Sequence, residues 1–206
     1  LAIGKNKSGQ PLMTAKQFEM DLELTPFLSG EILIFDMRVE EPKLTVTLFQ
    51  DGSLDWALNS KKNLGGRTLV LESVTINNGQ IKLVDLQNRR TKQIDNINTK
   101  LSAPEISGPW RAEGSAEFEG QNVNFEVDTG AVNDKGSMRL RTRLFAENLP
   151  LFIETEGSAK IEDHKPSYEG NFNIQKRSEL NVLNTPKELR NLLTVQMKGG
   201  FKINNE

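Results

Sequence analysis

Apolar and polar residues alternate with period two along most of this chain, and that pattern admits few folds. Successive side chains of a β-strand point to opposite faces, so alternation marks strands with one apolar and one polar side. In "FEMDLEL", Phe18, Met20, Leu22 and Leu24 share one side, and Glu19, Asp21 and Glu23 share the other. In "KLTVTLFQ", Leu44, Val46 and Leu48 oppose Thr45, Thr47 and Phe49. Val123, Phe125 and Val127 alternate with Asn124, Glu126 and Asp128, and Met138, Leu140 and Leu144 with Arg139, Arg141 and Arg143. Further strands are expected at Leu151 and Ile153, at Phe172 and Ile174, and at Leu193, Val195 and Met197. That gives about a dozen strands, the spacing of an all-β chain. In "SVTINNGQIKLVDL", Asn77-Asn78-Gly79 separates two apolar runs and predicts a hairpin turn, because Asn and Gly tolerate positive φ.

Helix signals are few. "TPKELRNLL" predicts one, with Thr185 as cap, Pro186 at the first helical position and Glu188 as the capping-box acid. Leu58 to Arg67 reads as a polar loop. "EGSAEF" at Glu113, "EGSAKI" at Glu156 and "KGGFKI" at Lys198 resemble one another. They fit a stacked repeat array, and equally chance in a β-rich chain where Gly-small-small patterns are common. The chain opens on Leu1 and closes on "GGFKINNE", which reads as a fragment or a processed chain.

Composition narrows the function. The net charge is −2, without the basic excess that phosphate contacts require, so nucleic acid is not the expected partner. There is no cysteine, hence no disulfide, thiolate metal site or cysteine nucleophile. The longest apolar run, Ile32 to Phe35, is far short of a membrane span. Hydrophobic residues are 36% of the chain, which suits one thin apolar layer better than a thick core. "FQDGSLDW" places acids beside a glycine but lacks the acidic ladder of a calcium loop, so Asp51-Gly52 reads as a turn. His164, the single histidine, lies in a charged, proline-containing stretch with no sign of an orienting acid. No nucleophile elbow, zinc-binding helix motif or phosphate-binding glycine loop occurs. The arginines of "RLRTR" and "NRRTK" read first as a solvated strand face and a loop, and second as contacts for anionic headgroups. A sheet with one apolar face can pack on a second sheet or curl into a trough, and pattern alone favours the two-sheet sandwich.

Longer motifs point further. Leu24 to Trp56 runs strand, "PFLSG", strand, proline, strand, then glycine and tryptophan, through Pro26, Leu28, Ser29, Gly30, Pro42, Gly52 and Trp56. Gly79, Ile81 and Asp85 continue it, as do Leu101, Ala103, Gly108 and Pro109. This order resembles AsmA-type proteins over most of the chain, most clearly from Phe18 to Ala116, with Asp55 in place of the usual asparagine.

The resemblance implies a mainly β fold. It would be one elongated, strongly curved, antiparallel-rich sheet forming an open apolar trough, with one or two short helices, over residues 1–206 as a single region. It implies a Gram-negative envelope protein on the periplasmic side of the inner membrane, held by an anchor outside these residues. It implies a non-catalytic role in outer-membrane biogenesis, with phospholipid or another acyl-chain lipid as partner and no cofactor or metal. The alternative it leaves is a periplasmic scaffold or chaperone-like protein acting with envelope assembly proteins. The expected lipid floor is Phe18, Met20, Leu22, Leu24, Leu44, Val46, Leu48, Val123, Phe125, Val127, Met138 and Leu140.

Overall fold

The alternating segments pair into one mixed sheet of thirteen strands. A computed structural model describes residues 2–3, 9, 11–23, 31–55, 68–105, 107–162, 164–177 and 186–204. The strands are β1 (Ala2–Ile3), β2 (Met13–Thr14), β3 (Gln17–Glu23), β4 (Glu31–Glu40), β5 (Lys43–Leu48), β6 (Thr68–Asp85), β7 (Arg90–Ala103), β8 (Arg111–Phe118), β9 (Gln121–Thr129), β10 (Ser137–Ala146), β11 (Leu151–Glu162), β12 (Lys165–Lys176) and β13 (Met197–Asn204). From β6 to β13 each strand pairs antiparallel with the next. On the other edge of β6, β4 and then β5 lie end to end, both parallel to it. β3 pairs with β4, and β2 with β5. No second sheet covers either face among the described residues.

The sheet is rolled. The Leu54 N–H donates to the His164 carbonyl at 2.8 Å. Leu54 lies beside β5, and His164 lies in the turn between β11 and β12, six strands away. In a flat sheet the six strand spacings alone would keep them at least about 30 Å apart. The sheet therefore curls into an open trough whose walls touch at this point, where pattern alone had favoured a two-sheet sandwich.

Two local devices produce the curvature. The first is a seam of bulges crossing three neighbouring strand lines. Glu41, Asn78 and Asn96 take positive φ at 48°, 53° and 50°, and register shifts flank Gly79 and follow Asp95. A bulge bends its strand and increases the local twist. Ala15, Pro42, Gly79 and Ile97 are all buried along this line with no layer above them, the mark of a sheet bent toward their side. Asparagine and glutamine side chains satisfy the freed polar groups. Asn98 Oδ1 accepts from the Asn78 N–H at 3.0 Å, and Gln80 Nε2 donates to Asp95 Oδ1 at 2.7 Å.

The expected hairpin at Asn77-Asn78-Gly79 is corrected accordingly. β6 runs unbroken for 18 residues. A two-residue hairpin turn of that kind needs positive φ at both central residues, and only Asn78 has it.

The second device is glycine on the inner face. A Cβ on Gly114 would lie 2.1 Å from the Asn98 carbonyl oxygen, and one on Gly157 would lie 2.3 Å from that of Glu169. Gly199 is covered by the Phe172 ring, 2.7 Å from where its Cβ would stand. These three glycines are the common element of "EGSAEF", "EGSAKI" and "KGGFKI". They fall on β8, β11 and β13, at unequal strand intervals, so the similarity marks a shared local device rather than stacked units.

The expected helix is present as a 3₁₀ helix, Lys187–Thr194, with Pro186 at its N-cap and no side-chain cap. Leu193 belongs to this helix, so the last strand begins at Met197 rather than at Leu193. Thr185, the Leu58 to Arg67 loop and the motif residues Pro26, Leu28, Ser29, Gly30 and Trp56 lie outside the described residues. The Asp51-Gly52 turn is as expected. Gly52 has φ 80°, its N–H donates to the Phe49 carbonyl, and Asp51 Oδ1 accepts from the Ser53 N–H and hydroxyl.

The inner face leaves no room at these glycines, and the outer face does. Gly157→Ala is expected to destabilise the fold by about 1–3 kcal/mol through overpacking. Gly200→Ala, whose Cβ would meet only Asn171 Oδ1 at 3.4 Å and a carbonyl at 3.8 Å, is expected to be neutral. Urea midpoints at constant m-value check both.

Candidate functional site: the apolar floor of the trough

Residues opposite one another in neighbouring strands point the same way, so strand register carries one face across the whole sheet. One row runs Met20, Met37, Val74, Leu101, Ala112, Val127, Thr142, Thr155, Phe172, Gly199. The next runs Phe18, Val39, Ile76, Thr99, Gly114, Phe125, Leu144, Ile153, Ile174, Met197. Neither row contains a charged residue. Leu44 and Val46 join the same face through Ile81 and Leu83 of β6. Met138 and Leu140 join it opposite Ala159 and Gly157.

Eleven of the twelve expected floor residues are thus described and share one face: Phe18, Met20, Leu22, Leu44, Val46, Leu48, Val123, Phe125, Val127, Met138 and Leu140. Leu24 lies outside the described residues. The expected set missed the part where the face is densest. Ile34, Leu71, Val74 and Ala103 form its buried cluster, packed by Ile32, Met37, Ile76, Leu101 and Trp110. The run "ILIF" conceals alternation because of a register shift in the β3–β4 pairing, which leaves Phe35 out of register and 46% exposed. A four-residue apolar run within a longer alternating stretch was the available signal for that bulge.

The face is apolar and largely uncovered. The chain exposes 13565 Å². A compact monomer of its mass, 23.1 kDa, exposes roughly 9,700 Å². Eight of the eleven exposed large apolar side chains lie on this face, including Met20, Leu22, Leu83 and Phe118. The hydroxyls of the floor threonines Thr99, Thr142 and Thr155 are turned to partners within the sheet. Thr142 Oγ1 and Thr155 Oγ1 bond each other at 2.8 Å, and Thr99 Oγ1 donates to the Glu113 carbonyl at 2.8 Å. Tyr168 lies over Gly157 and Gly170, its Oη buried without a hydrogen-bond partner, and its ring centroid is 5.1 Å from that of Phe201.

The opposite, convex face is charged and internally neutralised. Arg139 pairs with Glu156 at 2.6 Å, Arg141 Nε donates to Glu154 at 2.9 Å, and Arg143 reaches Glu126 at 3.4 Å. The three arginines of "RLRTR" are therefore a cross-strand ion-pair ladder on the side away from the floor. Lys92 is not part of the convex face: it stands opposite Leu83 at one end of the floor side, where it pairs with Glu119 and lies over the Phe118 ring. A shallow hollow of about 670 Å³ between β11 and β13 is lined by the convex-side Glu154, Glu156, Asn171, Asn173 and Lys198 together with Phe172 and glycines of β13.

Among the described residues no group of His, Asp and Glu is placed to hold a metal ion. His164 stands exposed at the tip of the β11–β12 hairpin with φ 64°, and its carbonyl is the acceptor that ties the walls together. No described helix is long and apolar enough to cross a membrane. The fold and site together define a class: a single-sheet β-trough with an open apolar floor. Comparison with protein-family models, curated proteins and solved structures gives no match to this chain.

The polar seam carries a pH signature. Hydrogen bonds from Gln80 first, then Gln93, hold the Asp95 carboxyl below its usual range, and the Asn88 side chain and backbone do the same for Asp85. A depressed folded-state pKa contributes stability that is present above the unfolded value, about 3.9, and is lost as pH falls through the folded value. NMR titration is expected to place both carboxyls below that unfolded value. Gln80→Met is expected to return Asp95 toward the ordinary range while Asp85 stays where it was.

Proposed function

We propose that this chain is a lipid-carrying segment, holding phospholipid acyl chains on the apolar floor while headgroups stay in water. The observation that carries the reading is the unbroken apolar face, conserved in register across ten strands and uncovered by a second layer. A soluble protein does not ordinarily leave so large a connected apolar surface without an occupant. Acyl chains fit this one because the floor is elongated and presents carbon almost throughout. Burial gains about 0.8 kcal/mol per methylene, so a smooth floor holds a chain without specific contacts, and the lipid slides with no bond made or broken.

The motif order that resembles AsmA-type proteins gives the reading its setting. The chain would act on the periplasmic side of the inner membrane in outer-membrane biogenesis, held by an anchor outside these residues. The scaffold reading draws on a different feature, the outer edge of β13, which is unpaired among the described residues and to which a client strand could add.

Native mass spectrometry of the protein purified from cells separates the two. Co-purified phospholipid supports the carrier, and a bound peptide supports the scaffold. In addition, Phe125→Glu with Leu140→Glu is expected to lower uptake of a fluorescent acyl lipid from vesicles at least tenfold, while Glu113→Lys on the convex face leaves it unchanged. Floor variants that fold and still extract lipid would defeat the proposal. Far-UV circular dichroism of each variant confirms folding.

A further inference from the structure

The apolar face is most exposed at the two outer strands. Met197 and Ile203 of β13 are each 53% exposed, and Leu22 of β3 is 46% exposed. Among the described residues β3 pairs only with β4, and β13 only with β12. Each therefore offers an outer row of backbone donors and acceptors, a template for another strand.

The two edges do not meet within one molecule. The Leu54–His164 contact joins the end of β5 to the far end of hairpin β11–β12. β3 lies well beyond that contact. Leu48 stands opposite Asp85 of β6, whereas Met20 reaches Val74 of β6 through Met37. The separation is eleven residues of β6, about 35 Å. β13 runs from its Asn204 end, opposite Ser167, away in the other direction. The rolled sheet is a ramp rather than a ring, with β3 free at one end and β13 at the other.

The edges differ in charge. On the convex side β3 carries Glu19, Asp21 and Glu23, and β13 carries Lys198 and Lys202. Two β13 strands pairing with their apolar faces on one side would set lysine against lysine, and two β3 strands would set acid against acid. Like charges across a strand pair are destabilising, and opposite charges are favourable. Only β3 against β13 brings acid beside lysine and apolar beside apolar. Both strands run in the same direction within the sheet, so this pairing is parallel, as β4 and β5 already are with β6.

We propose that the chain associates head to tail with a second copy of itself, β3 of one molecule adding to β13 of the next, so that the two apolar floors join. The contact is heterologous, uses different surfaces on the two partners, and grows open-ended assemblies rather than a closed dimer. It requires no occupant in the trough and so stands apart from the proposed function. Lys202 also lies 3.5 Å from Glu169 of its own molecule. That exposed pair is weak and does not compete with three acids arriving on a paired strand.

Sedimentation velocity of the 206-residue chain tests this, from micromolar to near-millimolar concentration and in low and high salt. The mean mass is expected to rise with concentration past the dimer and to fall in high salt. Lys198→Glu with Lys202→Glu, and separately Glu19→Lys with Asp21→Lys and Glu23→Lys, are each expected to give monomers. Mixing the two variants is expected to restore association, because each then supplies the edge the other lacks. A wild-type chain that stays monomeric overturns the proposal, as does association that both charge variants retain or a mixture that stays monomeric. Should a charge variant fail to fold, the absence of native cysteine permits a second measurement. Asp21→Cys with Lys198→Cys in one chain is expected to give a disulfide-linked ladder on oxidation, and the absence of a ladder overturns the proposal.

Discussion

A sheet with one apolar face has to protect that face, and here no second layer does so. Everything else in the structure follows from that constraint. Curvature takes the place of the missing layer, because a rolled sheet brings the side chains of neighbouring strands together on its inner side. Val74 is only 6% exposed and Ala103 fully buried, although both belong to a sheet face with no second sheet above it. The roll in turn depends on backbone devices. Positive-φ residues at Glu41, Asn78 and Asn96 bend three neighbouring strand lines along one seam, and Gly114 and Gly157 remove side chains that inner-face crowding would not admit. The hydrogen bond between Leu54 and His164 marks where the walls meet.

The convex side shows the complementary solution. Its charges are numerous but paired across strands: Arg111 with Asp128, Arg139 with Glu156, Arg141 with Glu154. Pairs this exposed add little stability each. Their effect is to keep one face wet and electrically balanced, so that the sheet has a defined outside. The arginine run that could have been a headgroup site is committed to this ladder, and it lies on the wrong side of the sheet to meet anything held on the floor.

Much of this was legible in the sequence, because alternation is a local property. Phe18, Met20 and Leu22, or Val123, Phe125 and Val127, declare their shared face within seven residues. What was not legible depends on how strands meet. Asn77-Asn78-Gly79 has turn chemistry, yet β4 and β5 pair along both halves of β6 and keep it straight enough to continue, so the same residues make a bulge. "ILIF" reads as a plain apolar run because the register shift that puts Phe35 out of step appears only once β3 is alongside. Leu193, Val195 and Met197 have strand spacing, but the first of them is taken by the 3₁₀ helix that follows Pro186. The resemblance among "EGSAEF", "EGSAKI" and "KGGFKI" was visible, and its cause was not, since crowding on an inner face has no sequence period. Whether the apolar face would be closed by a second sheet was likewise beyond alternation, which looks the same in a sandwich and a trough.

The distribution of burial along the floor has a consequence for anything that rests on it. The face is densest at β4, β6 and β7, where Ile34, Leu71, Val74 and Ala103 are buried, and most open at β13, where Met197 and Ile203 stand out. A side chain already buried by its neighbours gains little from an occupant, whereas an exposed one gains in proportion to the area covered. The gain available to an apolar ligand therefore grows from the crowded part of the floor toward the open end. Thr99, Thr142 and Thr155 are satisfied within the sheet and offer a ligand no free hydroxyl, which leaves the buried Tyr168 Oη as the inner-face hydroxyl without a partner among the described residues. A floor of this kind discriminates poorly between chains of different length or headgroup. On the proposed carrier reading, selectivity would have to come from what delivers the lipid and what receives it, and the hydrophobic gain would be largest at the open end at β13, where Met197 and Ile203 are exposed.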